Sequence, residues 1–168
     1  MNPEYANILK YAMQMEKDGA QFFRDSAARF QDGTTAGLFE NLAKVEEAHY
    51  EYLEDKLAAY TGGTLDGNAE DAMMNQGEQD IFSSRADSEH LDTTLVESDT
   101  PDITILRMAY LIEKDFAEFY EEMQDYVEDE NLKGLFAQLS EWERGHESLF
   151  KSEYKRLMKE YMSLPWGG

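Results

Sequence analysis

Shifted by 97 residues, this chain lies on itself. Residues 8 to 53 align with 105 to 150 without a gap, and 15 of the 46 positions are identical. Ile8, Leu9, Ala12, Glu16, Lys17, Asp18, Ala20 and Phe22 meet Ile105, Leu106, Ala109, Glu113, Lys114, Asp115, Ala117 and Phe119. Asp32, Gly37, Leu38, Phe39, Leu42, Glu46 and His49 meet Asp129, Gly134, Leu135, Phe136, Leu139, Glu143 and His146. A repeat of this length is one supersecondary unit used twice. Its period is helical. Leu9, Ala12, Met13, Ala20 and Phe23 mark one buried face of a helix from about Pro3 to Phe30, opened by the capping pair Asn2-Pro3. Gln31-Asp32-Gly33-Thr34 reads as a turn with a Thr cap, and a second helix runs from about Thr35 to Tyr60 before Thr61-Gly62-Gly63 stops it. Thr100-Pro101-Asp102 opens a third helix to about Glu128, and Asn131 is expected to cap a fourth that runs to about Met162, before a short tail. The expected fold is all-α: an antiparallel four-helix bundle in a single domain, made of two duplicated hairpins over 3–60 and 101–162. A helix of about 26 residues is about 39 Å long, so the crossover over 61–99 is long because the chain must travel back along the bundle. Within it, Ala69 to Phe82 reads as a short helix.

The repeated polar residues carry the chemistry. Glu46-x-x-His49 and Glu143-x-x-His146 are i, i+3 pairs, so each sets a carboxylate and an imidazole on one helix face. Thirty residues upstream of each pair stands a lone glutamate, Glu16 or Glu113, on the antiparallel helix of the same hairpin. Glu16 lies among Leu9, Ala12, Met13, Ala20 and Phe23, and Glu113 among Leu106, Ala109, Tyr110, Ala117 and Tyr120, so both are expected to point inward. Lys17 and Lys114 are neighbours in sequence and therefore point elsewhere on the helix. Four buried carboxylates lose their hydration and need positive charge; two divalent ions supply it. One Glu from each of two helices and a Glu-x-x-His from each of two others is the donor set of di-iron and di-manganese bundles. His90 has no counterpart in the repeat and is expected to be exposed rather than a ligand.

Composition narrows the alternatives. The chain has no cysteine, which excludes disulfides, thiolate zinc sites, iron–sulfur clusters and a thiol nucleophile. Its net charge is -21, from 36 acidic and 15 basic residues, so nucleic acid and anionic membrane surfaces are excluded as partners. At 42% hydrophobic the chain is rich enough in apolar residues to build a core. Met1-Asn2-Pro3-Glu4-Tyr5 lacks a basic region followed by an apolar one, and no apolar run approaches a membrane span, so a cytoplasmic location is expected.

Ala12-Met13-Gln14-Met15-Glu16-Lys17-Asp18-Gly19-Ala20-Gln21-Phe22-Phe23 and Leu42-Ala43-Lys44-Val45-Glu46-Glu47-Ala48-His49 resemble the rubrerythrin-like branch of the ferritin-like superfamily. Ile112 to Tyr120 and Trp142-Glu143-Arg144-Gly145-His146 look like its second half. The resemblance covers the four helices and not the crossover. It implies a ferritin-like bundle with two iron ions, Glu46 and Glu143 bridging, Glu16 and His49 completing one iron, and Glu113 and His146 the other. Tyr120 matches a tyrosine that the family often places beside the site; the first repeat has Phe23 there. Rubrerythrins proper have a further glutamate where this chain has Phe116, and a Cys-ligated rubredoxin domain that a chain without cysteine cannot form. The six-residue ligand set alone is closer to that of bacterioferritin.

Mixed carboxylate and imidazole donors suit iron, with manganese or zinc as substitutes. The expected function is that of a non-haem di-iron oxidoreductase: hydrogen peroxide or dioxygen oxidises the di-ferrous centre, as in peroxide and oxygen detoxification, and an external electron-donor protein restores it. Ferritin-like iron oxidation and storage without catalytic turnover is the alternative. A homo-oligomer, a dimer, is the expected assembly.

Overall fold

The computed structural model describes residues 1–30, 33–65 and 99–163. Four helices account for nearly all of them, with no strand among the described residues: α1 (Pro3–Ala27), α2 (Gly33–Gly62), α3 (Asp99–Tyr126) and α4 (Glu130–Ser163). The turn residues Gln31 and Asp32, the expected helix over Ala69–Phe82, His90 and the tail after Ser163 lie outside the described residues. So does most of the crossover.

The helix ends follow local chemistry. Asn2 caps α1 by accepting the Glu4 N–H at 3.0 Å, with Pro3 at the first helical position. The Asn2 N–H in turn donates to the Tyr60 hydroxyl at 2.9 Å, fixing the start of α1 against the end of α2. α1 ends at Ala27, three residues before the expected Phe30. Phe30 is still buried and packs on Phe39, with ring centroids 4.7 Å apart, so its apolar character serves the turn and not the helix. α2 closes on a Schellman motif: the Thr64 N–H donates to the Ala59 carbonyl at 2.9 Å and the Gly63 N–H to the Tyr60 carbonyl at 3.2 Å. Gly63 sits at φ 73°, where a side chain would be strained.

The expected cap of α4 is corrected. Asp129, not Asn131, accepts the Asn131 and Leu132 N–H groups at 2.9 and 3.1 Å. Asn131 is already inside the helix, and its side chain donates to the Leu65 carbonyl at 3.1 Å.

The described chain forms two compact units. The first holds α1, α2 and the 125–135 segment. Leu9, Ala12, Phe23, Phe39, Leu42 and Leu53 are fully buried in it. Each such Leu or Phe contributes about 1.5–3 kcal/mol over an exposed one. Phe23 meets Phe39 edge to face at 5.9 Å, and Arg24 pairs with Glu47 across the hairpin. Tyr126 donates to Glu4 at 2.7 Å and Tyr5 accepts the Glu128 N–H at 3.1 Å, which ties the 125–135 segment to the start of α1.

The second unit holds the rest of α3 and α4 around Leu106, Ala109, Ala117, Tyr120, Phe136, Leu139, Leu149 and Phe150. Tyr120 stacks on Phe136 at 6.1 Å and Tyr110 meets Tyr154 at 5.6 Å. The Arg144 guanidinium grips Glu121 through two bonds, at 2.8 and 2.7 Å, and bonds Glu147 at 2.6 Å. These bonds hold the Arg144 proton more tightly than usual and Glu121 below the usual carboxylate range.

Candidate metal centre

Each unit carries one half of the expected donor set. In the first, α1 supplies Glu16 and α2 supplies Glu46 and His49, all with zero exposure. His49 Nδ1 stands 3.5 Å from Glu16 Oε2 and 3.7 Å from Glu46 Oε2. In the second, α3 supplies Glu113 and α4 supplies Glu143 and His146, again with zero exposure. His146 Nδ1 stands 3.5 Å from Glu113 Oε2 and 3.3 Å from Glu143 Oε2. In both halves a donor atom from each of the three residues lies within 4.8 Å of the other two. The structure thus brings together, within each half, the three residues that the sequence grouped. It adds that Nδ1 is the nitrogen turned towards the carboxylates, which leaves Nε2 on the far side of each ring.

Burial and charge crowding set the electrostatics. Glu16 is pushed from 4.5 up to about 8, first by burial and then by the like charge of Glu46; His49 opposes this without cancelling it. The nearby lysines do not offset the charge. Lys17 is exposed, and Lys114 pairs with Glu118 at 3.5 Å on a half-exposed face. Two carboxylates and one imidazole per half, at zero exposure, match the charge and the donor preference of one divalent transition ion per half.

Tyr120 is fully buried against Phe136, and Phe23 and Phe39 occupy the repeat-equivalent positions, so a hydroxyl is the chemical difference between the two aromatic pairs. Phe116 is buried at 9% exposure, in the place of the further glutamate.

Two features escaped the sequence reading. Lys56, seven residues after His49 and so on the same face of α2, is only 7% exposed, with its ammonium 4.9 Å from the Tyr52 ring centroid. The spacing alone places it inward. Arg24–Glu47 and Glu121–Arg144 occupy repeat-equivalent positions with the charges exchanged. A comparison of opposite charges at the 97-residue offset would have found them.

The sequence model of the Rubrerythrin family matches residues 7–154. The chain belongs to this family. The match includes all six donors and most of both hairpins, in agreement with the resemblance read from the motifs and with the all-α, ferritin-like four-helix class. No curated protein and no solved structure matches the chain. A Rubrerythrin domain with buried carboxylate and histidine clusters is compatible with iron binding and with oxidoreductase chemistry of the di-iron type. No described helix is long and apolar enough to cross a membrane.

Proposed function

We propose that this chain is a di-iron oxidoreductase whose reduced form reacts with hydrogen peroxide or dioxygen, and which a separate electron-donor protein re-reduces. The observation that carries the reading is the doubled donor set, with matching histidine-to-glutamate distances of 3.5 and 3.7 Å in one half and 3.5 and 3.3 Å in the other. Glu16, Glu46 and His49 would hold one iron, and Glu113, Glu143 and His146 the second. Bound iron supplies the redox chemistry, one electron per ferrous ion, so two ions match the two-electron reduction of one peroxide to two waters.

The remaining work falls to the protein. Four helices hold the donors on rigid backbone, and their zero exposure keeps bulk water from the carboxylates. Glu16 keeps its proton at neutral pH in the metal-free chain, so metal binding at that half releases a proton and strengthens as the pH rises towards about 8. Tyr120, two turns after Glu113 on α3 and fully buried, is the hydroxyl we assign to the vicinity of the second half.

The test is metal analysis of the natively purified protein, followed by anaerobic stopped-flow mixing of the ferrous form with peroxide and, separately, with dioxygen. Two irons per chain and rapid oxidation without mineral formation are expected. Native zinc, or a ferrous form inert to both oxidants, would overturn the proposal. Thousands of irons per assembly would turn it towards storage.

A further inference from the structure

We propose that the C-terminal part of α4 is the docking surface for a small acidic electron-carrier protein. Lys151, Lys155 and Lys159 follow each other at i, i+4, i+8 and are all exposed, so they form one cationic ridge. No carboxylate among the described residues pairs with them, whereas Arg156 beside them is held by Glu153 at 2.9 Å and Glu160 at 3.1 Å. Four of the 15 basic residues of the chain fall between positions 151 and 159. Against the ridge lies a shallow, mostly apolar hollow that includes Tyr154, Met158 and Met162, the last of them 69% exposed. An apolar centre beside a charged rim is the anatomy of a transient protein interface.

Charge selects the occupant. With a net charge of -21 the chain repels an acidic protein over most of its surface, so the lysine ridge sets both where such a partner lands and how it is turned. A second copy is the weaker fit. Closed two-fold dimers apply the same patch to itself, which would set ridge against ridge.

The position suits electron delivery. Tyr154, in the wall of the hollow, has its ring 5.6 Å from that of Tyr110. Tyr110 precedes Glu113 by one turn of α3, about 4.5 Å along the axis. Both tyrosines and Glu113 lie in the same compact unit. The carrier is oxidised by one electron at each encounter. Two encounters supply the two electrons that one hydrogen peroxide accepts, with two protons, on becoming two waters. This delivery step rests on the redox reading above; the docking itself does not.

The experiment uses an acidic [2Fe–2S] ferredoxin as the probe. Its binding to the metal-free full chain is measured by calorimetry at low and high salt. Wild type should bind at low salt and weaken as salt is added. The variant Lys151→Glu/Lys155→Glu/Lys159→Glu should bind at least tenfold more weakly. Lys10→Glu/Lys17→Glu/Arg29→Glu changes the net charge equally on exposed parts of α1 and the turn after it, and should stay within about threefold of wild type. Met162→Asp, a single exposed change, tests the apolar part and should weaken binding even if the triple variant fails to fold. In the iron-loaded protein, Tyr154→Leu should slow reduction by ferredoxin and leave reduction by dithionite unchanged. Absence of wild-type binding at low salt, or equal losses in the two triple variants, would overturn the docking surface. Loss of self-association in the ridge variant, with ferredoxin binding intact, would assign the patch to a second copy and overturn it as well. If binding depends on the ridge but the dithionite-reduced protein ignores both peroxide and dioxygen, docking stands and the redox reading fails.

Discussion

Glu16→Gln should stabilise the metal-free protein, and the gain should grow with pH. Burial and the charge of Glu46 push the Glu16 carboxyl from 4.5 up to about 8. A group whose folded-state value is raised stabilises the fold most below its unfolded value. That stability drains away as the pH rises from about 4.5 and is gone above about 8, because the unfolded chain releases a proton that the folded chain retains. Each unit is worth about 1.4 kcal/mol. The wild type therefore forfeits about 3 kcal/mol by pH 7 and about 5 kcal/mol by pH 9. Glutamine has the shape of the protonated carboxyl and cannot ionise, so the variant escapes this loss. Urea unfolding of both metal-free proteins at pH 5, 7 and 9 reads the effect directly. With a slope of about 2 kcal/mol per molar, the midpoints should lie about 1.5 M apart at pH 7, further apart at pH 9 and nearly together at pH 5. Saturating Zn2+, a redox-inert probe, should then reverse the order at neutral pH, since wild type keeps all three donors of that half and gains more from binding. Parallel pH profiles for the two proteins would refute the reasoning, because Glu16 would then ionise as easily in the fold as in the unfolded chain.

Glu46→Ala with Glu143→Ala should abolish stoichiometric metal binding, as elemental analysis after desalting would show; two tightly held irons per chain would sink the ligand assignment. Tyr120→Phe should leave the fold and the metal content unchanged, since the ring still stacks on Phe136, and should slow or alter the optical course of ferrous oxidation in stopped flow. Asp129→Ala should cost about 1 kcal/mol in denaturant unfolding, as a lost helix cap, while Asn131→Ala should cost a few tenths.

The fold was legible because the duplication repeats its own signals. Glu16, Glu46 and His49 stand at the same spacings as Glu113, Glu143 and His146, so the second copy filters out positions that were acidic by composition alone. Asn2-Pro3 and Gly63 also read correctly, since each demands one backbone conformation. The cap of α4 did not, because Asp129 and Asn131 are both good caps two residues apart and only the local backbone decides between them. Phe30 misled the end of α1, since its apolar side chain continues the helical stripe while the backbone has already turned. Which imidazole nitrogen faces the glutamates is a matter of ring rotation, which no spacing encodes. Lys56 is hard to place from sequence because lysine is seldom buried; its stem lies in the core and its charge over an aromatic ring.

The two halves are equal in donors and unequal in surroundings, and magnitudes decide which inequality counts. Beside Glu46 in sequence stands the anion Glu47, paired with Arg24; beside Glu143 stands the cation Arg144, paired with Glu121. Either arrangement staples its hairpin, through one contact in the first and a two-bond grip in the second. The exchange does alter the field at the neighbouring glutamate, favouring a higher positive charge in the first half. These four side chains are 36–48% exposed, however, and each faces an opposite charge, Arg144 a second one in Glu147, so the bias is screened to well under 1 kcal/mol. The difference between Phe23 and Tyr120 lies at zero exposure, where a hydroxyl keeps its full strength as a donor. Any functional difference between the two proposed metal positions should therefore follow the tyrosine and survive high salt, while a difference that vanished in salt would point back to the exchanged pair.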